Sequence, residues 1–263
     1  MTASIWQSAL LWLREFFLAF PVLLPRFFSS WLICLLVLLF SFRALKPRLR
    51  SGVLEFDKAM NKFARRLRYR LQQADAVLEP DTQPEERVLL TWFFRFWTNF
   101  ASAPSLSVIS IALAIWMYHL YYIELPDQVY PPHYLSGTRQ WLFPALCYFG
   151  SMGLSYVLKR VFKRLRPVRH KGAFGHALQD GSFPSGHSLT AFAFWMMCVL
   201  AFMQTASPLS TLLFAAVAVS VVLLTGLSRI YMAVHWPSDV AGGYVIGAVW
   251  TLFCFLALRG VSL

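Results

Sequence analysis

The sequence predicts an all-α, polytopic membrane protein: a six-span helical bundle with an additional amphipathic or interfacial helix at the N-terminus. Three observations carry that expectation. Hydrophobic residues form 58% of the 263-residue chain and charged residues 14%, and the mean hydropathy of +0.55 lies outside the range of soluble domains of this size. Six separate runs approach the roughly 20 apolar residues that a spanning helix needs. Charge is concentrated between those runs and at their ends.

Taken in order, residues 1–26 form an N-terminal interfacial segment. Trp6 to Leu24 is apolar, but Arg14 and Glu15 interrupt its middle and Pro21 and Pro25 its end. Those features fit a helix lying in the interface, with an extra span as the alternative. No basic residue precedes the first apolar run and no small-residue cleavage site follows it, so no cleavable signal peptide is expected. The membrane domain occupies 27–263, its first span covering 27–42.

Residues 43–103 then form a basic, amphipathic membrane-surface loop. Phe56, Met60, Phe63, Leu67 and Leu71 recur at helical spacing, with Lys58, Lys62, Arg65, Arg66 and Arg68 between them. Prolines and acids from Glu79 to Glu86 break the pattern, and Trp92, Phe93, Phe94, Phe96, Trp97 and Phe100 follow as an aromatic belt suited to headgroup depth. The stretch reads equally as a lipid-facing entrance or as a basic helix resting on anionic lipid.

The remaining spans are expected at 104–122, 141–158, 187–204, 209–226 and 240–258. Gly243 and Gly247 make a small-xxx-small pair that lets the last helix approach a neighbour closely. Cys34, Cys147, Cys198 and Cys254 each fall within a span and lack metal-ligand spacing, which predicts packing roles and no disulfide framework. A net charge of +12 raises nucleic acid as a partner, but the cations sit at membrane edges without groove-reading or base-stacking elements. Lipid phosphate and the bilayer are the expected partners. The sequence carries no signal of oligomeric state.

Three clusters carry the chemistry. Near the last, Pro237 is suited to a first helical turn and places Asp239 four residues after His235, where a carboxylate can accept a hydrogen bond from one imidazole nitrogen and leave the other as a nucleophile. Pro184-Ser185-Gly186-His187 directly precedes a span, so its first-turn amides can cradle an anion while His187 supplies a proton near neutral pH. Lys159, Arg166 and Arg229 offer charge to phosphoryl oxygens. Each cluster alone has an ordinary reading as a cap, a turn or a headgroup contact. Arg160, Lys163, Arg164, Arg169 and Lys171 read as a solvated or headgroup-binding face, and His170 and His176 as loop-surface residues. No group of carboxylates and histidines has metal-site spacing, so neither metal nor cofactor is expected.

The joint order is more specific: a lysine seven residues before Arg166-Pro167, then Pro184-Ser185-Gly186-His187, then Ser228-Arg229 with His235 and Asp239 beyond. It resembles the three-part signature of the type 2 phosphatidic acid phosphatase (PAP2) superfamily, in a bacterial-type membrane lipid phosphatase. Phe56-Asp57 and Asn99-Phe100-Ala101-Ser102 are similar to the family's lead-in. The resemblance implies His235 as the nucleophile forming a phosphohistidine, Asp239 as its orienting partner and His187 as the acid for the leaving group. It implies that Lys159, Arg166, Ser185, Gly186 and Arg229 hold the phosphate, in a six-span bundle whose helix ends meet at one membrane face.

The implied substrate is a lipid phosphomonoester or pyrophosphate, such as phosphatidate, phosphatidylglycerol phosphate, undecaprenyl pyrophosphate or a lipid A phosphate. A lipid phosphotransferase on the same scaffold is the close rival; a non-catalytic transporter or scaffold has no need of two histidines and an acid beside the cations. For the expected bacterial inner membrane, two arguments about sidedness oppose each other. Of 24 lysines and arginines, 20 lie on the site face, which the positive-inside rule assigns to the cytoplasm. The family resemblance implies an extracytoplasmic site, and three of those cations are required for chemistry; the outward site is carried forward.

Overall fold

A computed structural model describes residues 2–78, 89–119, 143–167, 181–203 and 206–259, and all regular structure among them is helical. The helices are α1 (Thr2–Leu78), α2 (Leu89–Phe100), α3 (Ala103–His119), α4 (Phe143–Phe162), α5 (Gly186–Phe202), α6 (Pro208–Tyr231) and α7 (Pro237–Arg259). The acid- and proline-containing stretch around Gln83, and His170 and His176, lie outside the described residues.

The expected separation between an N-terminal interfacial helix and the first span is absent: α1 runs without interruption through Pro21 and Pro25. Proline removes one backbone hydrogen bond from a helix, a loss that helices in membranes tolerate. Within α1, the bilayer-compatible window is Leu24–Arg43. That window, α6 and Pro237–Leu258 of α7 are long and apolar enough to cross a membrane, and α2 with α3 could make one further span bent by 51°. Two of the six expected spans are less apolar or shorter. The fourth helix carries Ser151, Ser155, Lys159 and Arg160, and α5 is apolar but has 17 residues.

Helix α5 sits at the centre, against α4, α6 and α7, while α1 covers α7. The main core joins Cys34, Leu35 and Leu38 of α1 to Cys147, Leu154 and Leu158 of α4, Leu189 and Met197 of α5, and Ile246, Trp250 and Cys254 of α7. All four cysteines are buried and free. Leu212, Leu213 and Val217 of α6 and Val245, Leu252 and Leu256 of α7 point outward, the apolar exterior expected of helices facing lipid.

Lipid tails are as apolar as leucine, so burial alone does little to hold these helices together; close packing and aromatic hydrogen bonds do more. Trp31 Nε1 donates to the Gly150 carbonyl at 2.9 Å, Trp250 Nε1 to Cys147 at 2.7 Å, Tyr244 Oη to Val222 at 2.8 Å and Tyr148 Oη to Ala103 at 2.8 Å. These bonds join α1 to α4, α7 to α4, α7 to α6 and α4 to α3. The Gly243 and Gly247 pair sets the α7–α5 contact: a Cβ at Gly243 would lie 2.9 Å from the Ser185 carbonyl oxygen, and one at Gly247 3.1 Å from that of Leu189.

The second half of α1 crosses the end of this bundle. Phe42 packs edge-on against Phe162 and Phe183, with centroids 5.2 and 5.3 Å away, while Asp57 bonds to Ser238 at the start of α7. Fifteen helical residues rise about 22 Å, yet both partners belong to the same end of the bundle. The exposed faces of this segment include Phe56, Phe63 and Leu67, and its inward face carries Asp57 and Asn61. The amphipathic pattern was therefore legible, but a polar stripe, rather than the apolar one, faces the protein.

At Gly150, alanine would gain about 1 kcal/mol of helix propensity, but its Cβ would press into the Trp250 ring, which its hydrogen bond to Cys147 holds in place. Overpacking of that kind costs roughly 1–3 kcal/mol. Gly150→Ala is expected to lower the unfolding temperature in detergent, as followed by circular dichroism.

Candidate active site

Two turns bring the clusters together, and neither uses glycine at its left-handed residue. Helix α4 ends where the Lys163 amide bonds back to the Lys159 carbonyl at 3.1 Å with Lys163 at φ 45°. This closes the helix and redirects the chain through Arg164, Leu165 and Arg166. Helix α6 ends in a Schellman arrangement: Ala233 donates to Ile230 at 2.9 Å and Val234 to Arg229 at 3.2 Å, with Ala233 at φ 54°. A non-glycine residue in this region costs roughly 1–2 kcal/mol. That cost is accepted here two residues before His235, where the turn carries the imidazole back toward the bundle.

The chain re-enters the described structure at Gly181, where a Cβ would collide with the Lys159 carbonyl oxygen at 2.6 Å. The Phe183–Pro184 peptide is cis. Ser185 then donates its amide to the Asp239 carbonyl at 3.0 Å, tying the start of α5 to the start of α7. Ser185 Oγ does not cap α5; it accepts a hydrogen bond from Ser188 Oγ at 2.9 Å. The first-turn amides of α5 thus face the site without a side-chain cap, an arrangement that favours an anion. A Cβ built on Gly186 would lie 3.1 Å from Ser155 Oγ and 4.0 Å from Lys159 Nζ, so the lysine amine stands over this helix start.

Arg166 Nη1 approaches His235 Nε2 at 3.4 Å and donates to the Val234 carbonyl at 3.1 Å. Arg229 is buried on the last turn of α6, and its Nε has no hydrogen-bond partner among the described residues. His187 lies within electrostatic reach of Arg229, His235, Lys159 and Arg166. Every residue expected at the site from sequence is therefore at one end of the bundle, around the junction of α4, α5, α6 and α7. Among the described residues, no group of three His, Cys, Asp or Glu side chains is arranged to hold a metal ion.

Burial, reinforced by Arg229, Arg166 and Lys159, holds the His235 imidazole well below its ordinary value of 6.5; the Ser182 backbone acts in the opposite direction. The imidazole is therefore neutral at pH 7, with a lone pair available.

The expected hydrogen bond between His235 and Asp239 is replaced by a longer contact. Nδ1 lies 3.5 Å from Asp239 Oδ2 and makes no hydrogen bond among the described residues. The carboxylate is committed elsewhere. Its Oδ2 accepts the Trp236 amide at 2.9 Å, the side-chain half of a capping box at the start of α7, and its Oδ1 accepts Arg164 Nη1 at 2.6 Å.

Arg164 also corrects the sequence reading, which placed it on a solvated or headgroup-binding face. Its Nη2 donates to Asp57 Oδ2 at 2.5 Å and its Nη1 to Ser238 Oγ at 2.7 Å. The left-handed turn at Lys163 swings Arg164 inward, an effect that a run of basic residues does not reveal. Asp57, fully buried, also accepts the Ser238 amide at 2.9 Å and the Ser238 hydroxyl at 2.5 Å. It thereby caps α7 from a different helix. In the sequence Asp57 stands out only within the family lead-in; its spacing of four from Asn61, which puts two polar, non-basic residues on one helix face, is the available signal.

This geometry accompanies clear similarities to known proteins. Residues 140–261 match the PAP2 superfamily. Phosphatidylglycerophosphatase B of Bacillus subtilis is 32% identical over 117 residues, 41% of this chain and 50% of that protein. A lipid A 1-phosphatase of Rhizobium johnstonii is 34% identical over 126 residues, 45% and 47% respectively, and a putative undecaprenyl-diphosphatase of Escherichia coli is 35% identical over 118 residues, 44% and 56%. The chain thus spans about half the length of the curated relatives it matches. The crystal structure of a transmembrane PAP2-type phosphatidylglycerolphosphate phosphatase from Bacillus subtilis superposes with a TM-score of 0.57 at 21% identity, covering 87% of this chain and 92% of that one, which establishes the likeness of fold. Together with the Lys159, His187 and His235 clusters, these matches place residues 140–261 of this chain in the PAP2 superfamily.

Proposed function

We propose that this protein is an integral-membrane phosphatase that removes a terminal phosphate from a lipid phosphomonoester or pyrophosphate through a phosphohistidine on His235. The observation carrying the reading is the 3.4 Å approach of Arg166 to His235 Nε2, beside buried Arg229 and the uncapped start of α5. Phosphoryl transfer depends mainly on positioning and on stabilising charge at the equatorial oxygens, which this set of donors supports.

In the proposed reaction, Lys159, Arg166, Arg229, the Ser185 hydroxyl and the amides of Gly186 and His187 bind the phosphate. His235 Nε2 attacks phosphorus with its proton held on Nδ1, facing Asp239. The bond from phosphorus to the lipid oxygen breaks, and that oxygen takes a proton from His187. Asp239 stabilises the cationic phosphohistidine. Water, losing a proton to His187, then attacks phosphorus and releases inorganic phosphate and neutral His235.

We infer six membrane passes: Leu24–Arg43 of α1, α6, α7 and the bent pair α2 with α3, which are long and apolar enough to cross, and α4 and α5 packed between them as two further passes. The site faces the extracytoplasmic side of a bacterial inner membrane, an assignment that reporter fusions near Gln83 test.

His235→Ala is expected to abolish phosphate release from a panel of lipid phosphates while the protein still elutes as a folded species; retained turnover would sink the nucleophile assignment. The assay includes an acceptor lipid, because phosphorylated lipid in place of free phosphate identifies a phosphotransferase.

Asp57→Ala takes one of two carboxylates from half-buried Arg164, which keeps Asp239, and leaves the Ser238 amide at the start of α7 without its acceptor. Losing hydrogen bonds to a charged group costs roughly 1.5–3 kcal/mol. We expect a lower unfolding temperature and a fall in kcat larger than any rise in KM; unchanged kcat would show that the clamp on Asp239 has no bearing on turnover.

Because the folded-state value of His235 lies below 6.5, the unfolded chain binds this proton first as pH falls. The resulting loss of stability begins near the unfolded value and continues down to the folded one. Thermal unfolding from pH 8 to pH 5 should therefore show wild type losing stability relative to His235→Ala below about pH 6.5. Parallel curves would refute a neutral, buried His235.

A further inference from the structure

Where α1 crosses the site end of the bundle, Lys58, Lys62, Arg65 and Arg66 line a cleft of about 390 Å³ closed on its far side by Pro167 and Trp236. Four of its eight lining residues are cations and none is an acid. Asp57, the nearest acid along the helix on this inward face, is occupied by Arg164 and Ser238. Asn61, almost fully buried, adds an amide to the lining.

The cleft is joined to the candidate active site rather than merely near it. Pro167 and Trp236 are the peptide neighbours of Arg166 and His235, whose side chains approach at 3.4 Å. Arg65 Nη2 donates to the Pro167 carbonyl at 3.4 Å, and Trp236 Nε1 donates to the Leu165 carbonyl at 2.9 Å, holding one wall against the turn that carries Arg166. All four cations are exposed along the open cleft, one wall of which is formed by the chain neighbours of two site residues.

We propose that this cleft is a second anion subsite, taking a phosphate-type group of the substrate's own headgroup while the scissile phosphate lies at His235. Pro167 and Trp236, which line the cleft, are the chain neighbours of Arg166 and His235, so an anion held there would be joined to the scissile group through a short linker. The preferred substrate class is thus a lipid carrying two such anions across a short polar linker, in preference to a lipid with a lone phosphomonoester. This rests on the phosphatase reading and narrows it.

Binding is measured by calorimetry on full-length His235→Ala protein in neutral detergent, comparing dioctanoyl phosphatidylglycerophosphate with dioctanoyl phosphatidate. The two lipids share their tails, and the first has the additional anion beyond a glycerol. A preference of roughly tenfold for the two-anion lipid is expected from charge-assisted contacts, falling to within about twofold when Lys62→Gln and Arg66→Gln are added. Raising the salt concentration should narrow the preference without any substitution. Equal affinities in the parent protein, or a preference that survives both substitutions, would overturn the proposal. Phosphatidylglycerol, anionic but without a terminal phosphate, serves as competitor: if equimolar amounts erase the preference, the cleft holds bilayer headgroups and the proposal fails. Phosphate release by protein retaining His235 is read in parallel. Absence of release alongside an intact binding preference counts against the phosphatase reading and leaves the subsite standing.

Discussion

One guanidinium, that of Arg164, bridges two fully buried carboxylates from distant parts of the chain, Asp57 and Asp239. Taking such charges out of water costs several kcal/mol each, recovered only when every remaining lone pair finds a donor. The donors are supplied by the start of α7: the Trp236 amide for Asp239, and the Ser238 amide and hydroxyl for Asp57. A single network therefore satisfies the buried charges, caps the helix and fixes α1 across the end of the bundle. His235 lies one residue before the capped segment, so its position is inherited from that network.

The same network separates two electrostatic environments. Arg164 shares its single positive charge between the carboxylates of Asp57 and Asp239, while buried Arg229 has no hydrogen-bond partner for its Nε among the described residues. Burial, reinforced by Arg229, Arg166 and Lys159, keeps the imidazole neutral. A dianionic phosphate beside those cations would oppose their part of the effect. The charges that reinforce burial in depressing the histidine are thus the charges that the proposed substrate would neutralise.

The apolar runs and the residues at their ends were legible because membrane length and phosphate chemistry both constrain local sequence. The Gly243 and Gly247 spacing likewise announced the tight contact of α7 on α5. What escaped was set by rotation and distance. Arg160, Lys163 and Arg164 are equivalent in a basic run until the left-handed residue at 163 decides which one turns inward. Asp57 meets Ser238 across 181 positions of sequence, and no local pattern encodes that meeting. The 3.5 Å spacing of His235 from Asp239 depends in turn on Arg164 and the Trp236 amide having taken the carboxylate oxygens.

Asp57 also bears on where this protein's boundaries lie. The PAP2 superfamily match covers 140–261, yet one of the two carboxylates on Arg164, and the acceptor of the Ser238 amide, belong to a helix starting well upstream. A fragment cut to the matching region would retain every signature residue and Asp239, but would leave the Ser238 amide and one arm of the Arg164 guanidinium without their acceptor. The segment matched by the family is therefore smaller than the segment that completes the network behind its site.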